Sequence, residues 1–465
     1  MKALKSVGFV ALLSVSVGLW RAGGQTLTTL YQFGGLPSDG HNPTAPLMQG
    51  RDGNFYGTAY GGGTNGAGTV FMITPQGALT TLWQFGSGAT NGANPEAGLV
   101  QGSDGNFYGT TQNGGTNGAG TAFRISPQGS LTTIWQFGST ATDGNTPRAR
   151  LVQGSDGNFY GTTEYGGTST NWGTVFKITP QGTLTTLYEF GDLATGSVLP
   201  YAGLVQGNDG NFYGTTYGGV YGVGSVFQIT PEGTLTTLDQ FSNGAYSGPY
   251  GGLVQGIDGN LYGTTAGGAT SGGTVFKISS QGTLTTLCQL TGNTYSGPYA
   301  GLVQGSDGNF YGTTTGAGTN FEGTVFEVTP KGTLTTPWQF GRGPTNGAMP
   351  NAEVVQGCDG NFYGTTWAGG TNGYGTVFRL FVALDPPANQ VADFQFLSVF
   401  DATYAAFFIP SVAGETYQLQ YTDSMNPTNW MNTGVPILSI GGPLTAVDFV
   451  EPTTSQRYYR FQITP

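Results

Sequence analysis

Histidine, cysteine, lysine and long apolar runs are all scarce in this chain, and each shortage closes off a class of function. There is one histidine, His41, so metal sites built on several imidazoles and Ser-His-Asp catalysis are excluded by count. The two cysteines, Cys288 and Cys358, occupy non-equivalent positions about two repeats apart. That is too far for disulfide geometry, so both are expected as thiols, and neither is placed to use His41 as a base. Only 8% of residues are charged, with 14 basic against 25 acidic. Such an acidic surface repels phosphate backbones and anionic lipid, so no nucleic-acid partner is expected. No lysine follows Lys331, and no basic cluster or hydrophobic tail marks a terminal anchor.

The single long apolar run is at the start. Lys2 and Lys5 precede Val7 to Trp20, and Ala22 and Gly24 stand ahead of Gln25. Those are the parts of an export signal cut before Gln25, leaving no membrane span in the mature chain. Residues 1–24 are therefore read as a signal peptide and the protein as secreted, extracellular or on the cell surface. Loss of that segment leaves 11 basic against 25 acidic residues, a net charge of −14.

What the chain has in abundance is glycine, 84 residues, with 13% aromatics. These recur in register. Asp-Gly-Asn-aromatic-Tyr-Gly-Thr, with Leu261 in place of the aromatic in one copy, begins at Asp52, Asp104, Asp156, Asp209, Asp258, Asp307 and Asp359, at spacings of 52, 52, 53, 49, 49 and 52 residues. A GTVF-like string follows each copy, and an LTTLWQF-like string follows six of them. Each repeat reads as four short strands bounded by turn residues: LVQG, NFYGTT, TVFRIT and LTTLWQF. Asp-Gly predicts a two-residue type I′ hairpin, and Pro-Gln-Gly a second tight turn. The glycine after each tyrosine predicts close approach of another backbone.

The last repeat stops without its fourth strand, and an orphan copy, Thr26 to Phe33, precedes the first. Pairing the two closes a ring, as a solenoid would not require. The expected architecture is all-β: a seven-bladed β-propeller over residues 25–381, closed by its N-terminal strand, and expected as a monomer. A linker at 382–390 leads to residues 391–465, whose alternating Tyr417, Leu419, Tyr421 and Tyr459, Phe461, Ile463 read as a small β-sandwich.

DGNFYGTT with GTVF and LTTL at this period resembles the GloVer tandem-repeat proteins of bacteria, whose C-terminal anchoring region varies among members. The resemblance spans roughly residues 26–380 and implies the repeat fold and export, with no defined activity to carry over. The C-terminal YQLQYT…NW…RYYRFQI pattern is similar to immunoglobulin-like or fibronectin-like modules of exported bacterial proteins.

Repetition argues against chemistry in the motif itself. The seven aspartates are explained as turn residues, and Asp-Gly-Asn lacks the alternating carboxylates of a calcium loop. No metal, no cofactor and no catalytic residue is therefore assigned. Function is expected where repeats differ, in the long connections on the face opposite the tight turns. Carboxylates there (Asp143, Glu164, Asp192 and Glu322) could serve a glycosidase if two converged. The aromatic residues carry more weight. Tyr165, Trp172, Tyr217, Tyr246, Tyr250, Tyr295, Tyr299 and Trp367 are the candidate ligand contacts, with Tyr60, Tyr221 and Tyr374 nearby. Tyrosine among Gly, Ser, Asn and Thr suits adaptable binding. The expectation is a secreted, non-catalytic propeller that binds a polysaccharide or a cell-surface protein. A polysaccharide-degrading enzyme and a structural or adhesive surface component are the alternatives.

Overall fold

The computed structural model describes residues 25–382, except 87, 89, 169–170, 192–197, 219–223, 242–247, 268–271, 291–296, 342 and 344, together with seven strands beyond residue 392. Residues 1–24, read above as signal, and 383–390 of the linker lie outside the described residues, as do Asp192, Tyr221, Tyr246 and Tyr295.

Residues Gln25–Gly357 and Asn361–Val382 belong to one compact unit. It holds seven four-stranded antiparallel sheets, the blades of a β-propeller. Blade two is typical, with strands Val100–Gln101, Phe107–Thr111, Thr121–Ile125 and Leu131–Gln136 paired in chain order. The seventh sheet has the order Thr26–Gln32, Thr376–Phe381, Phe362–Thr366 and Val355–Gln356. Thr26–Gln32 lies antiparallel to Thr376–Phe381, with Thr26 opposite Phe381 and Gln32 opposite Thr376.

Nearly every residue of the repeated string has an assigned contact. In the first blade, Asp52 Oδ1 accepts from the Asn54 backbone N–H, and Oδ2 accepts from the Asn54 amide and the Tyr56 hydroxyl. The tyrosine-to-aspartate bond recurs at 2.7–2.8 Å in blades two to six. Asp359 stands in the corresponding turn of blade seven, where Gly360 also has positive φ. The tyrosine ring then stacks on the phenylalanine of the next blade. Tyr56–Phe107, Tyr108–Phe159, Tyr160–Phe212, Tyr262–Phe310, Tyr311–Phe362 and Tyr363–Phe55 have centroids 3.9–4.2 Å apart. Each such pair contributes about 0.5–1.5 kcal/mol beyond the area it buries. The first threonine of each GTT or GTA donates to a carbonyl of the next blade at 2.9–3.4 Å, ending with Thr365 to Ala45.

Two local expectations are corrected. The Asp-Gly turn is a three-residue loop: Gly53 N–H donates to Gly50 O, and Gly50 N–H to Asn54 O. Only the glycine has positive φ, 82° at Gly53, which is a type I turn with a bulge and not type I′. Aspartate is needed there as an acceptor, not for φ. The glycine after the tyrosine is crowded by side chains, not backbone. A Cβ on Gly57 would lie 2.6 Å from Phe71 Cζ and 2.9 Å from Leu47. The close backbone approach is at the outer turn, where a Cβ on Gly77 would lie 2.7 Å from the Leu30 carbonyl oxygen of the preceding outer strand.

The strands beyond Ala383 belong to a second unit and form two antiparallel sheets. Asp393–Val399, Ala402–Ser411 and Gly442–Val450 make one, and the other is built around Thr416–Thr422, which pairs with Tyr458–Thr464.

Burial opposes ionisation of the turn carboxyls, but the asparagine and tyrosine donors outweigh it. They hold Asp52, Asp104, Asp156, Asp209 and Asp258 below the ordinary carboxylate value. Carboxyls depressed in the fold stabilise it above their unfolded value and stop doing so as pH falls through the folded one. Thermal unfolding should therefore be insensitive to these groups near neutrality and fall below about pH 4. An unfolding temperature unchanged down to strong acid would contradict this.

One blade carries a defect that makes a second test. In six blades the last Thr of the second strand bonds the Thr or Ser opening the third, at 2.7–2.9 Å. Blade one has Ala59 there, and Thr69 Oγ1 is buried without a partner. Gly40 leaves room over this position, as Gly92 does over Thr111. Ala59→Thr is expected to stabilise the protein by about 1 kcal/mol, read as a raised denaturant midpoint.

Candidate functional site

The long connections are braced before they vary. In the first, second and seventh blades, short ribbons pair Gly40–His41 with Gly61–Gly62, Gly92–Ala93 with Asn113–Gly114, and Gly347–Ala348 with Ala368–Gly369. A residue in the left-handed region follows in five blades. Asn42, Asn94, Thr146, Leu199 and Met349 have φ of 54–59° and each precedes a proline. Such a conformation costs a non-glycine residue about 1–3 kcal/mol, and proline disfavours the helical alternative. Two hydrogen bonds hold it. Asn94 N–H donates to Ala67 O at 2.7 Å and its carbonyl accepts from Gln112 N–H at 3.1 Å.

The residue after the connection's proline holds the same repeat position in all seven blades, and its identity changes from blade to blade. The seven are Thr44, Glu96, Arg148, Tyr201, Tyr250, Tyr299 and Asn351. Beside them come the residues that follow the second strand: Tyr60, Gln112, Glu164, Tyr217, Ala266, Thr315 and Trp367. Inward from these, the first strands crowd together. A Cβ on Gly203 would lie 2.7 Å from the Arg150 carbonyl, and one on Gly301 2.7 Å from that of Gly252.

In blades two to six these positions converge into one cluster. Arg148 Nη1 donates to Glu96 Oε2 at 3.0 Å, and its Nε lies 2.5 Å from Glu164 Oε2. Tyr201 donates to Glu96 Oε1 at 3.0 Å, and the guanidinium stands 5.4 Å from the Tyr201 ring centroid. Gln112, with its amide turned to suit both neighbours, donates to Glu96 and accepts from Arg148. Tyrosines continue the cluster. Tyr250 stacks on Tyr217 at 5.1 Å and meets Tyr201 and Tyr299 edge-on at 5.5 and 5.3 Å.

Burial raises the Glu96 carboxyl above its ordinary value despite the opposing charge of Arg148 and the Tyr201 hydroxyl bond. Burial, then the Glu96 charge, raises the Tyr201 hydroxyl, and burial with Tyr217 and Tyr299 raises that of Tyr250. All four tyrosines keep part of their surface open. Chemically the cluster offers half-open aromatic rings beside groups that both donate and accept. Its carboxylates are committed to Arg148.

Of the sequence candidates, Tyr217, Tyr250 and Tyr299 are brought together, and Tyr165 lies beside Glu164, whose charge and hydrogen bond join burial in raising its hydroxyl. Trp172 is partly buried and packs against the interblade core of Tyr160, Phe190 and Leu204. Trp367 is exposed and stands apart from the cluster. Asp143 is corrected as well. It is 1% exposed and accepts from the Trp135 indole N–H and from Ser139 and Thr140, a loop-holding role. Cys288 is half-buried, and burial pushes its thiol up. Among the described residues no group of three or more His, Cys, Asp or Glu could hold a metal ion.

Sequence reading missed Glu96, Gln112, Arg148 and Tyr201. The signal was present: the connection's proline, with Ala or Gly two residues on, is constant, and the residue between them differs in most blades.

Residues 19–169, 140–294 and 266–395 match the family model described as the Gloeobacter/Verrucomicrobia repeat. No curated protein matches the chain. Among solved structures, the BP39L lectin from Burkholderia pseudomallei is similar with a TM-score of 0.53 at 12% identity, over 74% of this chain and 97% of that one. A puromycin hydrolase has a TM-score of 0.48 at 14% identity over 81% of this chain, which spans 60% of that enzyme's length. A PL25 ulvan lyase has a TM-score of 0.43 at 11% identity, over 81% of this chain and 93% of that one. At these identities the likeness is one of fold alone.

Arg148→Leu removes the counter-ion of two partly buried carboxylates. The expected loss at pH 7 is about 3 kcal/mol. A carboxyl whose folded value is raised favours the fold below its unfolded value, near pH 4, and loses that effect as pH rises through the folded value. The difference between variant and parent should therefore shrink towards pH 4. An equal difference at both pH values would show that Arg148 acts by packing alone.

Proposed function

The chain belongs to the Gloeobacter/Verrucomicrobia repeat family, and from its long-connection face we infer a non-catalytic propeller that binds a polysaccharide. The observation that carries this is the cluster of Tyr201, Tyr217, Tyr250 and Tyr299 joined to Glu96, Arg148, Glu164 and Gln112. A sugar presents an apolar C–H face and a rim of hydroxyls, each both donor and acceptor. Half-open tyrosine rings match the first, and the phenols, the amide and the charged groups match the second. Sites of this kind are concave, mostly apolar and largely preformed, and the strained, doubly bonded residues Asn94, Thr146 and Leu199 supply that preformation at Glu96, Arg148 and Tyr201.

A hydrolytic reading would draw on Glu96 and Glu164. Both are held by one guanidinium, and this supports an architectural role over general acid and base work. The same reading places the protein outside the cytoplasm, with residues 1–24 as its export signal. The pairing of Thr26–Gln32 with Thr376–Phe381 would close the ring. The two C-terminal sheets would pack as a small β-sandwich of immunoglobulin or fibronectin type and act as a separate module.

Retention of the mature protein on a panel of insoluble polysaccharides tests the proposal. Tyr250→Ala with Tyr299→Ala is expected to weaken binding by about 2 kcal/mol or more, some thirtyfold, without unfolding the blades. Release of reducing ends from any polymer would replace the binding reading with an enzymatic one. Retention by residues 383–465 alone would move the contact to the C-terminal module.

A further inference from the structure

We propose that blades six, seven and one carry a second aromatic subsite, built on Trp367 and the stacked pair Tyr374–His41, which takes a further stretch of the same polysaccharide. This rests on the binding reading above. Trp367 holds in blade seven the repeat position that Tyr217 holds in blade four, so the two subsites lie at equivalent points of one ring. Trp367 is 39% exposed and Tyr374 44%. The His41 and Tyr374 rings are stacked, 5.1 Å apart with 27° between their planes, and His41 Nδ1 lies 2.8 Å from the Asn42 amide oxygen. Asn42 bridges the two halves: its N–H donates to Tyr374 O at 2.8 Å and its amide to Trp367 O at 2.9 Å.

Met349 and Phe321 extend the same arc. Met349 N–H donates to Glu322 O, and its carbonyl accepts from Trp367 N–H at 3.0 Å. Both residues are in the left-handed region, with φ of 56° and 59°. The position of Phe321 is glycine at Gly66, Gly118 and Gly373 and asparagine at Asn171, all with positive φ. The ring is 66% exposed, so the strain of placing a phenylalanine there gains no core packing in return. Strain kept at an exposed aromatic is a mark of surface use. Asn351, which accepts from Thr315 at 3.0 Å, lies at the ring position between the two subsites and keeps its amide N–H groups for a ligand hydroxyl. Planar rings flanked by Asn and Thr, with no lysine or arginine among these residues, fit an uncharged sugar chain.

Two subsites on one rigid ring make affinity depend on ligand length, because the second contact becomes intramolecular. The test uses the full chain and a polysaccharide that retains it, compared with the disaccharide of that polymer. Trp367→Ala with Tyr374→Ala is expected to weaken polymer binding about tenfold or more and leave disaccharide binding unchanged. Tyr250→Ala should weaken both. Phe321→Gly should raise the unfolding temperature by relieving the backbone while weakening polymer binding. Polymer bound by the double variant as tightly as by the parent would overturn the second subsite and leave the tyrosine cluster standing. Failure of the parent to bind any polysaccharide would overturn the binding reading and this inference with it.

Discussion

The stack between a tyrosine of one blade and a phenylalanine of the next is the contact on which the ring depends. Its tyrosine is tied at both ends: the hydroxyl to its own turn aspartate, the ring to the neighbouring blade. That double duty explains a string that otherwise looks overdetermined. Asparagine secures the aspartate, and glycine after the tyrosine makes room for the third-strand phenylalanine. Threonine then reaches a carbonyl just ahead of the next blade's inner strand. Each element is worth about 1 kcal/mol, and seven-fold repetition makes the sum large. Where the phenylalanine is missing, at Leu261, Tyr213 still packs against the position.

Invariance at the interface forces variation elsewhere. The tight-turn face is bound from blade to blade as well, with Gln101 accepting from Arg51 N–H and Gln153 from Ser103 N–H. Little on that face can change without loss to a neighbour. The opposite face is different. There the backbone is fixed by ribbons, left-handed residues and prolines, while the side chain after each proline is released from the repeat. A symmetric frame thus presents seven addressable positions, and asymmetry is written at them.

This division also sets what could be read from the sequence. Blade number and strand order follow from strings that recur in register, because each records a contact repeated around the blades. The turn type was misread because Asp-Gly admits two loop geometries, and the choice depends on an acceptor role that only Asn54 and Tyr56 reveal. Asp143 looked like a loop carboxylate because its partners, Trp135 and Ser139, are set by the fold of one connection. Arg148 was invisible for the opposite reason. Its partners are 52 and 53 residues away in Glu96 and Tyr201, a distance at which the repeat suggests equivalence and not contact.

That arginine bears on function more than any repeated residue. A chain with only 8% charged residues has placed a cation between two carboxylates in a half-buried setting. Removing such groups from water costs several kcal/mol per ion, and their attraction does little more than offset it. Stability therefore gives no reason for the triad, since an apolar trio would serve the fold as well. What the triad does fix is geometry: Glu96 orients the Tyr201 hydroxyl, and Tyr201 sets the edge against which Tyr250 packs. The charged half of the cluster positions the aromatic half. The half-open surface of those tyrosines is what the arrangement leaves for a ligand.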